Sequence, residues 1–253
     1  MPSALVSGVS RGLGAHLCRA LKAAGYRVLG VGLAADPRHD HLDDYRAVDL
    51  RAPLVDDLFA DEDVDVLVNN AGVYLDDPRG GYGDLFSLTP DDLRDTFEVN
   101  LFGTARLVLR YAPRMLERGA GRIVCVSSGM GRLQDADGAS FAYRSSKLAA
   151  NSLVLSVARH FTAARADLAA FSYCPGWIRT DMGTPSAPHE PGPAADDLVR
   201  LLDLPAVRAN GRFFRGLDEL GWDTRGPLVA DPPRPQGRSA LRNRPGQAPP
   251  SLP

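Results

Sequence analysis

The sequence predicts an α/β fold in which a doubly wound parallel sheet forms a single domain. Short apolar runs alternate with longer amphipathic segments, which is typical of strand–helix–strand units whose sheet is covered on both faces. A glycine-rich turn follows the first apolar run, as in sheets of the Rossmann type. The 253 residues, 44% of them hydrophobic, suffice for one large core. We therefore predict one domain over residues 1–230.

Seven strands are predicted from short apolar runs bounded by polar or turn-forming residues. They lie at Ala4–Ser7, Arg27–Val31, Tyr45–Val48, Val64–Asn69, Arg122–Ser127, Ala169–Tyr173 and Arg212–Phe214. Only a polar loop separates the second run from the third, so we expect a short or absent helix in this crossover.

Three helices are predicted from the spacing of apolar residues and from their end signals. The first follows the first strand and stops near Gly25, a residue typical of helix ends. The second begins at Thr89, where a capping residue precedes a proline, and runs toward Met115. The third begins near Ser140 and continues toward His160.

Composition and charge narrow the class of partner. The formal net charge of -2 and the mixed acids and bases provide no basic surface, which disfavours nucleic acid. No apolar stretch is long enough to span a membrane and no signal segment precedes the first strand, so we expect a cytoplasmic protein. Residues 231–253 are rich in proline and arginine, which predicts a disordered tail or, alternatively, a strap over a partner subunit.

Cysteine and histidine residues give no sign of disulfide or metal chemistry. Cys18, Cys125 and Cys174 lie in apolar segments at spacings that suit neither pairing nor a metal, so we expect them to be buried. His39 and His41 lie among carboxylates, but this pattern alone does not bring two histidines onto one ion. We expect a solvated loop there and no metal.

Glycines follow the first strand at a spacing that suits a phosphate-binding turn. Residues 7–14 read Ser-Gly-Val-Ser-Arg-Gly-Leu-Gly and lead directly into the first helix. Such a turn lets backbone amides face a pyrophosphate without obstruction by side chains, although an ordinary strand-to-helix turn remains the alternative. The candidate dinucleotide-binding residues here are Gly8, Ser10, Arg11, Gly12, Leu13 and Gly14.

The end of the second strand favours NADP(H) over NAD(H). An NAD enzyme usually carries an acidic residue there for the adenosine ribose, whereas residues 31–34 read Val-Gly-Leu-Ala. Arg11 in the turn and Arg38 downstream are candidates for a charge-assisted contact with a 2′-phosphate. A solvated loop charge is an equally good interpretation of Arg38.

Tyr143 and Lys147 are candidates for acid–base chemistry, because a spacing of four residues places both side chains on one face of the third helix. The unperturbed pKa of tyrosine is about 10, so proton transfer near neutral pH needs a nearby cation. One unit charge at about 4 Å supplies about 4 kcal/mol at an effective dielectric of about 20, equivalent to about three pKa units. We predict that Lys147 lowers the pKa of Tyr143 in this way.

Four further segments occur at predicted strand ends or within the second helix. They are Asn69 to Gly72, Val99 with Asn100, Ser127 to Gly129, and Pro175 to Asp181. With the glycine turn and the Tyr143/Lys147 pair, this set resembles the short-chain dehydrogenase/reductase family, in particular its single-domain branch. The resemblance covers residues 3–222, and its last part is similar to the ending of small carbonyl-reductase members. Ser7 departs from the pattern, because the family more often has threonine there.

The resemblance implies a role for each matching residue. Tyr143 would be the proton donor or acceptor, Lys147 would tune it and hold the nicotinamide ribose, and Ser128 would hydrogen-bond the substrate oxygen. Asn100 would hold a water that links Lys147 to solvent. Further cofactor contacts would come from Asp49 and Leu50 at the adenine, from Asn70, Ala71 and Gly72 at the adenosine ribose, and from Pro175, Gly176, Ile178 and Thr180 near the carboxamide.

The substrate side and the assembly are also expected from the resemblance. The residues expected to line the pocket are Met130, Leu133, Phe141, Trp177 and Met182, with residues 134–138 beside them. The segment Thr184 to Pro193 has few bulky apolar residues, so we expect an open or mobile lid. A homodimer or homotetramer would pair the second and third helices, with Phe97, Leu101 and Leu155 exposed.

Together these patterns predict an NADP(H)-dependent oxidoreductase that acts on a small ketone, aldehyde or alcohol. One alternative is a non-redox enzyme on the same fold, which would use Ser128 and Tyr143 for elimination, isomerisation or cyclisation. Another is a regulatory protein that only senses the dinucleotide. The intact glycine turn disfavours the first alternative, and the complete set of Ser128, Tyr143, Lys147 and Asn100 disfavours the second.

Overall fold

The computed structural model describes residues 1–37, 39–52, 58–59, 62–76, 83–135 and 138–222. Eight strands form one sheet: β1 Ser3–Ser7, β2 Arg27–Gly32, β3 Asp44–Ala47, β4 Val66–Asn69, β5 Ala120–Val126, β6 Asp167–Cys174, β7 Phe213–Arg215 and β8 Asp218–Leu220. Their spatial order is β3-β2-β1-β4-β5-β6-β7-β8, with β1 to β7 parallel and β8 antiparallel to β7. This arrangement confirms the predicted fold class.

Helices cover both faces of the sheet. They are α1 Gly12–Ala23, α2 Pro90–Phe97, α3 Thr104–Arg118, α4 Phe141–Ala164, α5 Pro191–Leu202 and α6 Ala206–Ala209. On one face, Leu17 of α1 and Leu198 of α5 belong to the same buried apolar cluster as Phe171 of β6. On the other face, Leu107 of α3 and Val154 of α4 belong to a second cluster. Apolar strand residues that are buried on both faces hold the sheet between these two layers.

The long helix predicted from Thr89 is present, but it is interrupted. α2 and α3 are joined by a π-helical segment, Glu98–Gly103, which includes Asn100. Thr89 caps α2 as predicted, because its hydroxyl accepts a hydrogen bond from Asp92 N at 3.1 Å. The Asp92 carboxylate in turn accepts one from Thr89 N at 3.2 Å. Segments of π-helix are frequent at functional sites, so the interruption marks the position of Asn100.

Several expectations can be checked directly against this fold. Between β2 and β3 the described residues form no helix, as predicted. Cys18, Cys125 and Cys174 are free and buried, also as predicted. The sequence does not predict β8, α5 or α6. The reason for α5 is that its first turn reads Pro-Gly-Pro, although proline is well accommodated at the first positions of a helix.

The expected exposed surface on the second and third helices is wrong in its details. Phe97, Leu101 and Leu155 are partly buried, because α2, α3 and α4 pack against one another within the chain. On α3 and the π-helical segment before it, the exposed large apolar residues are Phe102 and Leu109, which are 46% and 71% exposed.

Three expectations fall partly or wholly outside the described residues. They concern Arg38, residues 136–137 beside the expected pocket, and the tail at 231–253. Within the described part of the chain, no helix combines the length and the apolar character needed to cross a membrane.

Candidate active site

The predicted site residues gather at one edge of the sheet, because parallel strands place their carboxyl ends on the same side. β1 leads there into the glycine turn, β4 into Asn70, β5 into Ser128 and β6 into Pro175. The strand order reverses between β1 and β4 at this edge, and doubly wound sheets bind their ligands at such a reversal.

The glycine turn is shaped by close backbone contacts. Gly8 has a φ of +73°, and a Cβ on it would lie 2.8 Å from Ala71 Cα. A Cβ on Gly14 would lie 2.0 Å from the Gly8 carbonyl oxygen. Side chains are therefore excluded at both positions. The turn leads into the start of α1, whose first turn has no acidic residue. These features fit a pyrophosphate, which backbone amides at a helix N-terminus attract.

Asn70 fastens the turn to β4. Its Nδ2 donates hydrogen bonds to the carbonyl oxygens of Ser7 and Gly8, both at 3.0 Å. The Ser7 hydroxyl accepts hydrogen bonds from the amides of Asn70 and Ala71, both at 3.1 Å. Serine therefore supplies the acceptor oxygen at the position where the family more often has threonine. We expected Asn70 to contact the adenosine ribose, but its side-chain amide is engaged within the turn.

The segment after β6 lies against the same turn. A Cβ on Gly12 would come within 3.3 Å of the Thr180 methyl group, so Thr180 lies beside the start of α1. Arg11 forms an ion pair with Asp181, and both side chains are largely exposed. Ile178 is buried at 7% exposure, and a recess of about 350 Å³ opens beside it, lined by Arg179, Thr180, Asp181, Thr184 and Pro185.

The predicted open lid at Thr184–Pro193 is not supported. His189 pairs with Ile178 in an isolated bridge, and Arg179 N donates to His189 O at 2.8 Å. Arg179 also forms an ion pair with Glu190, directly before α5 begins at Pro191. The end of the segment is therefore held by these contacts and by the first turn of a helix.

The adenine side contains the remaining cofactor candidates. Asp49 pairs with Arg51, whose guanidinium hydrogen bond is the main reason that the pKa of the Asp49 carboxyl is lowered. Leu50 is 7% exposed, and its carbonyl oxygen accepts from Arg106 Nη1 at 2.6 Å. Ser10 lies beside β2, because its hydroxyl is 3.3 Å from the place of a Cβ on Gly32.

The acid–base candidates meet near the start of α4. Lys147 is 4% exposed, its Nζ donates to Val126 O at 2.8 Å, and the same atom lies 5.6 Å from the centre of the Tyr143 ring. The Ser128 hydroxyl accepts from Met130 N at 3.1 Å and lies close enough to the Tyr143 phenol to lower its pKa. The predicted juxtaposition of residues 128, 143 and 147 is therefore present in the structure.

The predicted lowering of the Tyr143 pKa by Lys147 is wrong for the chain alone. Desolvation by burial raises the pKa of the Tyr143 phenol, and the hydrogen bond from Ser128 opposes this rise without cancelling it. Desolvation also lowers the pKa of the Lys147 ammonium group. Burial disfavours the charged form of each group, which works against a phenolate paired with an ammonium.

Asn100 is fixed by its neighbours. Its Oδ1 accepts from Val73 N at 2.8 Å, and its Nδ2 donates to Val73 O at 2.9 Å and to Ser146 Oγ at 3.0 Å. A Cβ on Gly72 would lie 3.2 Å from Asn100 Oδ1 and 3.4 Å from Lys147 Nζ. Asn100 and Lys147 thus flank the same glycine, and the bridging water expected between them stays a prediction.

Asp76 is a functional candidate that the sequence analysis missed. Its carboxylate is 3% exposed and accepts from the amides of Ala142 and Tyr143, at 2.7 and 2.9 Å. Tyr74, two residues earlier, shares a hydrogen bond of 2.7 Å with Ser140 Oγ, and its ring meets Tyr143 edge to face. Because Ser140 makes no side-chain cap, Asp76 acts as the cap of α4 across 66 residues.

The expected pocket residues are at least partly exposed. Leu133, Phe141, Trp177 and Met182 are each 45–53% exposed, and Met130 is partly exposed. Exposed apolar side chains beside a hydroxyl and a phenol are suited to a small organic substrate.

The chain is similar in sequence to known proteins over much of its length. Residues 2–191 match the family model described as short chain dehydrogenase. The chain is 34% identical over 157 residues to the C-signal protein of Myxococcus xanthus, covering 60% of this chain and 87% of that protein. It is also 34% identical over 193 residues to an acetoacetyl-CoA reductase of Rhizobium meliloti, covering 71% and 75% of the two chains.

Solved structures share the fold over most of the chain. The carbonyl reductase Sniffer of D. melanogaster superposes with a TM-score of 0.75 at 25% identity, covering 85% of this chain and 96% of that one. A short-chain dehydrogenase/reductase of Burkholderia multivorans with bound NADP superposes with a TM-score of 0.70 at 26% identity, covering 85% and 96%.

Proposed function

Because the chain belongs to the short chain dehydrogenase family and is an oxidoreductase of that family, we propose that it transfers hydride between NADP(H) and a small ketone, aldehyde or alcohol. The observation that carries this proposal is the cluster of Tyr143, Ser128 and Lys147 at the sheet edge that also holds the glycine turn. The Sniffer protein, a carbonyl reductase, has the same fold.

The chain's own part in the reaction is to hold and protonate the substrate oxygen. When bound, a reduced nicotinamide would supply the hydride for the carbonyl carbon. Negative charge then develops on the oxygen, where the Ser128 hydroxyl donates a hydrogen bond. Tyr143 gives its phenolic proton to this oxygen, so that an alcohol forms, and in the opposite direction the phenolate takes the proton back.

Lys147 and Asn100 support the tyrosine. Lys147 Nζ donates to Val126 O on β5, which fixes the ammonium beside the phenol ring while other donor hydrogens remain for a ribose hydroxyl. The Asn100 amide is held by Val73 and Ser146, and it lies next to Lys147 at Gly72. We propose that protons reach Tyr143 along this side of the cluster.

Three observations support NADP(H) over NAD(H). Leu33, directly after β2, is 71% exposed and stands where an NAD enzyme usually has an acid. Arg11 lies at the start of α1 with its guanidinium exposed. The Burkholderia multivorans relative was solved with bound NADP. A 2′-phosphate would compete with Asp181 for Arg11, because that carboxylate is the guanidinium's partner in this structure.

Two variants test the cofactor proposal. We expect Arg11→Ala to weaken NADPH binding about tenfold and leave NADH unchanged, since a charge-assisted hydrogen bond contributes about 1.5–3 kcal/mol. Asp181→Asn should strengthen NADPH binding, because the competing carboxylate is removed. Dissociation constants from protein fluorescence titration measure both effects, and equal changes for the two cofactors would contradict the assignment of Arg11.

Replacement of the phenol tests the catalytic proposal. Tyr143→Phe should lower the rate of carbonyl reduction by about 100-fold or more, the contribution of a positioned general acid, and should retain NADPH affinity. Tyr26→Phe is the matched control. Tyr26 directly precedes β2, so it lies at the amino end of that strand, whereas the candidate site lies at the carboxyl ends of the strands. Nicotinamide absorbance with a panel of carbonyl compounds gives the rates, and a Tyr143→Phe variant as fast as the parent would overturn the mechanism.

The alternatives are not favoured by the site. A non-redox enzyme has no need of the glycine turn, whose close backbone packing suits a pyrophosphate. A protein that only senses the dinucleotide has no need of a buried lysine, a phenol and a hydroxyl in one cluster.

We also propose that the chain forms a homo-oligomer through the surface of α3 and the preceding π-helical segment. Phe102 and Leu109 are the exposed large apolar residues there. Light scattering should give at least a dimer, and Leu109→Glu should shift the mass toward a monomer.

A further inference from the structure

Arg215 lies at the same sheet edge, next to the residue that follows Ser128. It is the last residue of β7 and pairs in register with Cys174 at the carboxyl end of β6. A Cβ on Gly129 would lie 2.1 Å from Arg215 Nη2 and 3.3 Å from its Cζ. The guanidinium therefore packs directly on the Gly129 backbone, one residue from the hydroxyl proposed to hold the substrate oxygen.

No ion pair with a described residue neutralises the charge of Arg215. Other arginines around this edge are paired: Arg11 with Asp181, Arg132 with Asp135, and Arg179 with Glu190. For Arg215, none of the residues that the structure describes forms an ion pair, although Asp218 faces it in the β7–β8 register. The residue is exposed, so a ligand can reach it.

From this placement, and resting on the proposed function, we propose that the substrate carries an oxyanion, a carboxylate or phosphate ester, that Arg215 binds while Ser128 and Tyr143 hold the carbonyl oxygen. A guanidinium presents paired N–H donors that match such groups in a bidentate manner. Gly129 is required for this position of Arg215, because any larger residue there would displace the end of the guanidinium group. The substrate class is therefore an oxo acid or a phosphorylated carbonyl compound.

Matched substrate pairs test this inference. The probes are 3-oxobutanoate and 4-oxopentanoate with their methyl esters, and dihydroxyacetone phosphate with dihydroxyacetone. For each pair, the ratio of kcat/KM for the anionic member to that for the neutral member is measured with saturating NADPH. We expect a ratio of at least about ten for one pair in the parent protein, because a charge-assisted pair contributes on this scale. The substrate pair that shows this ratio identifies the preferred anionic group as a carboxylate or as a phosphate ester.

Variants then assign the effect to Arg215. Arg215→Met should bring the ratio to near one through a higher KM for the anion, and Arg215→Lys should restore part of it. Arg212→Met is the matched control, because it removes the same charge. Arg212 directly precedes β7 and pairs with Glu219. This variant should keep the parent ratio.

The two proposals fail in different ways. A parent protein that reduces the neutral carbonyls but prefers no anion, or an Arg215→Met variant that keeps the preference, overturns the role of Arg215 alone. A parent protein that reduces neither member of any pair, with either cofactor, counts against both.

Discussion

The Asp76 carboxylate links the loop after β4 to the start of α4, where Tyr143 lies. It is 3% exposed and accepts from the amides of Ala142 and Tyr143 at 2.7 and 2.9 Å. Asp76→Ala would leave both amides buried without an acceptor, at about 1–3 kcal/mol each. We therefore expect the free energy of unfolding to fall by about 3 kcal/mol, which lowers the Tm by about 6–12 °C in a domain of this size.

The same substitution should also impair turnover. Tyr143 N is one of the two amides that Asp76 holds, so its loss lets the first turn of α4 shift. A displacement of about 1 Å in a catalytic group can cost about 100-fold in rate. We expect kcat to fall at least tenfold while NADPH affinity is retained, because the Asp76 carboxylate accepts its hydrogen bonds from α4. Asp76→Asn should lie between, because each carboxylate oxygen accepts from one amide and the asparagine would present an NH2 donor in place of one of these oxygens.

A second helix cap provides the control. Asp92 caps α2 by accepting from Thr89 N at 3.2 Å, but this cap is exposed to solvent. Asp92→Ala should cost about 1 kcal/mol and leave kcat unchanged. Calorimetry and steady-state rates are compared for the two alanine variants. If Asp76→Ala unfolds at the same temperature as Asp92→Ala and keeps the parent kcat, the role assigned to Asp76 is refuted.

Two further predictions concern the phenol and the glycine turn. Because desolvation raises the pKa of Tyr143, the phenol stays protonated at pH about 10, where free tyrosine is half ionised. In the cofactor-free protein, the tyrosinate absorbance of the parent and of Tyr143→Phe should therefore coincide up to that pH, and an extra early titration in the parent would contradict this. The burial of neutral Tyr143 also contributes stability that is present below that pH and is lost as the pH rises through its folded-state pKa. Gly14→Ala should destabilise the fold by about 3 kcal/mol or more, because its Cβ would lie 2.0 Å from the Gly8 oxygen. Denaturant unfolding measures this, with Gly192→Ala as the control, because Gly192 also lies in the first turn of a helix without a positive φ and its Cβ would meet no atom closer than 3.4 Å.

Local signals in the sequence were sufficient for the strands and for the site's main residues. Apolar periodicity depends on neighbours a few residues apart, and the glycine turn depends on backbone geometry within residues 7–14. Parallel strands then bring their carboxyl ends to one edge whatever the side chains there are, so the strand-end position of Ser128 already implied a place beside Asn70. The π-helical segment at Asn100 has no comparable local signal, because its sequence fits a continuous helix equally well.

Residues whose roles depend on distant partners could not be predicted in this way. Asp76 lies 66 residues before the amide of Ala142, and nothing in its own neighbourhood indicates a helix cap. Asn70 was expected at the ribose, but its amide completes the glycine turn from another strand. Arg215 is distinguished from other surface arginines by its contact with Gly129 and by making no ion pair with any described residue. In each case the deciding contact joins two segments whose distance only the fold determines.

For Tyr143 and Lys147, the local sequence predicts neither the direction nor the size of the pKa shifts. A spacing of four residues gives proximity, and Coulomb's law alone then predicts a phenol that ionises easily beside an ammonium. Burial adds desolvation, which raises the pKa of Tyr143 and lowers that of Lys147, so both shifts oppose a phenolate paired with an ammonium. The resting chain thus holds a protonated phenol, hydrogen-bonded by Ser128, which is the state that a proton donor to a carbonyl oxygen needs. Oxidation of an alcohol requires the phenolate instead, so its rate should rise with pH while reduction stays level.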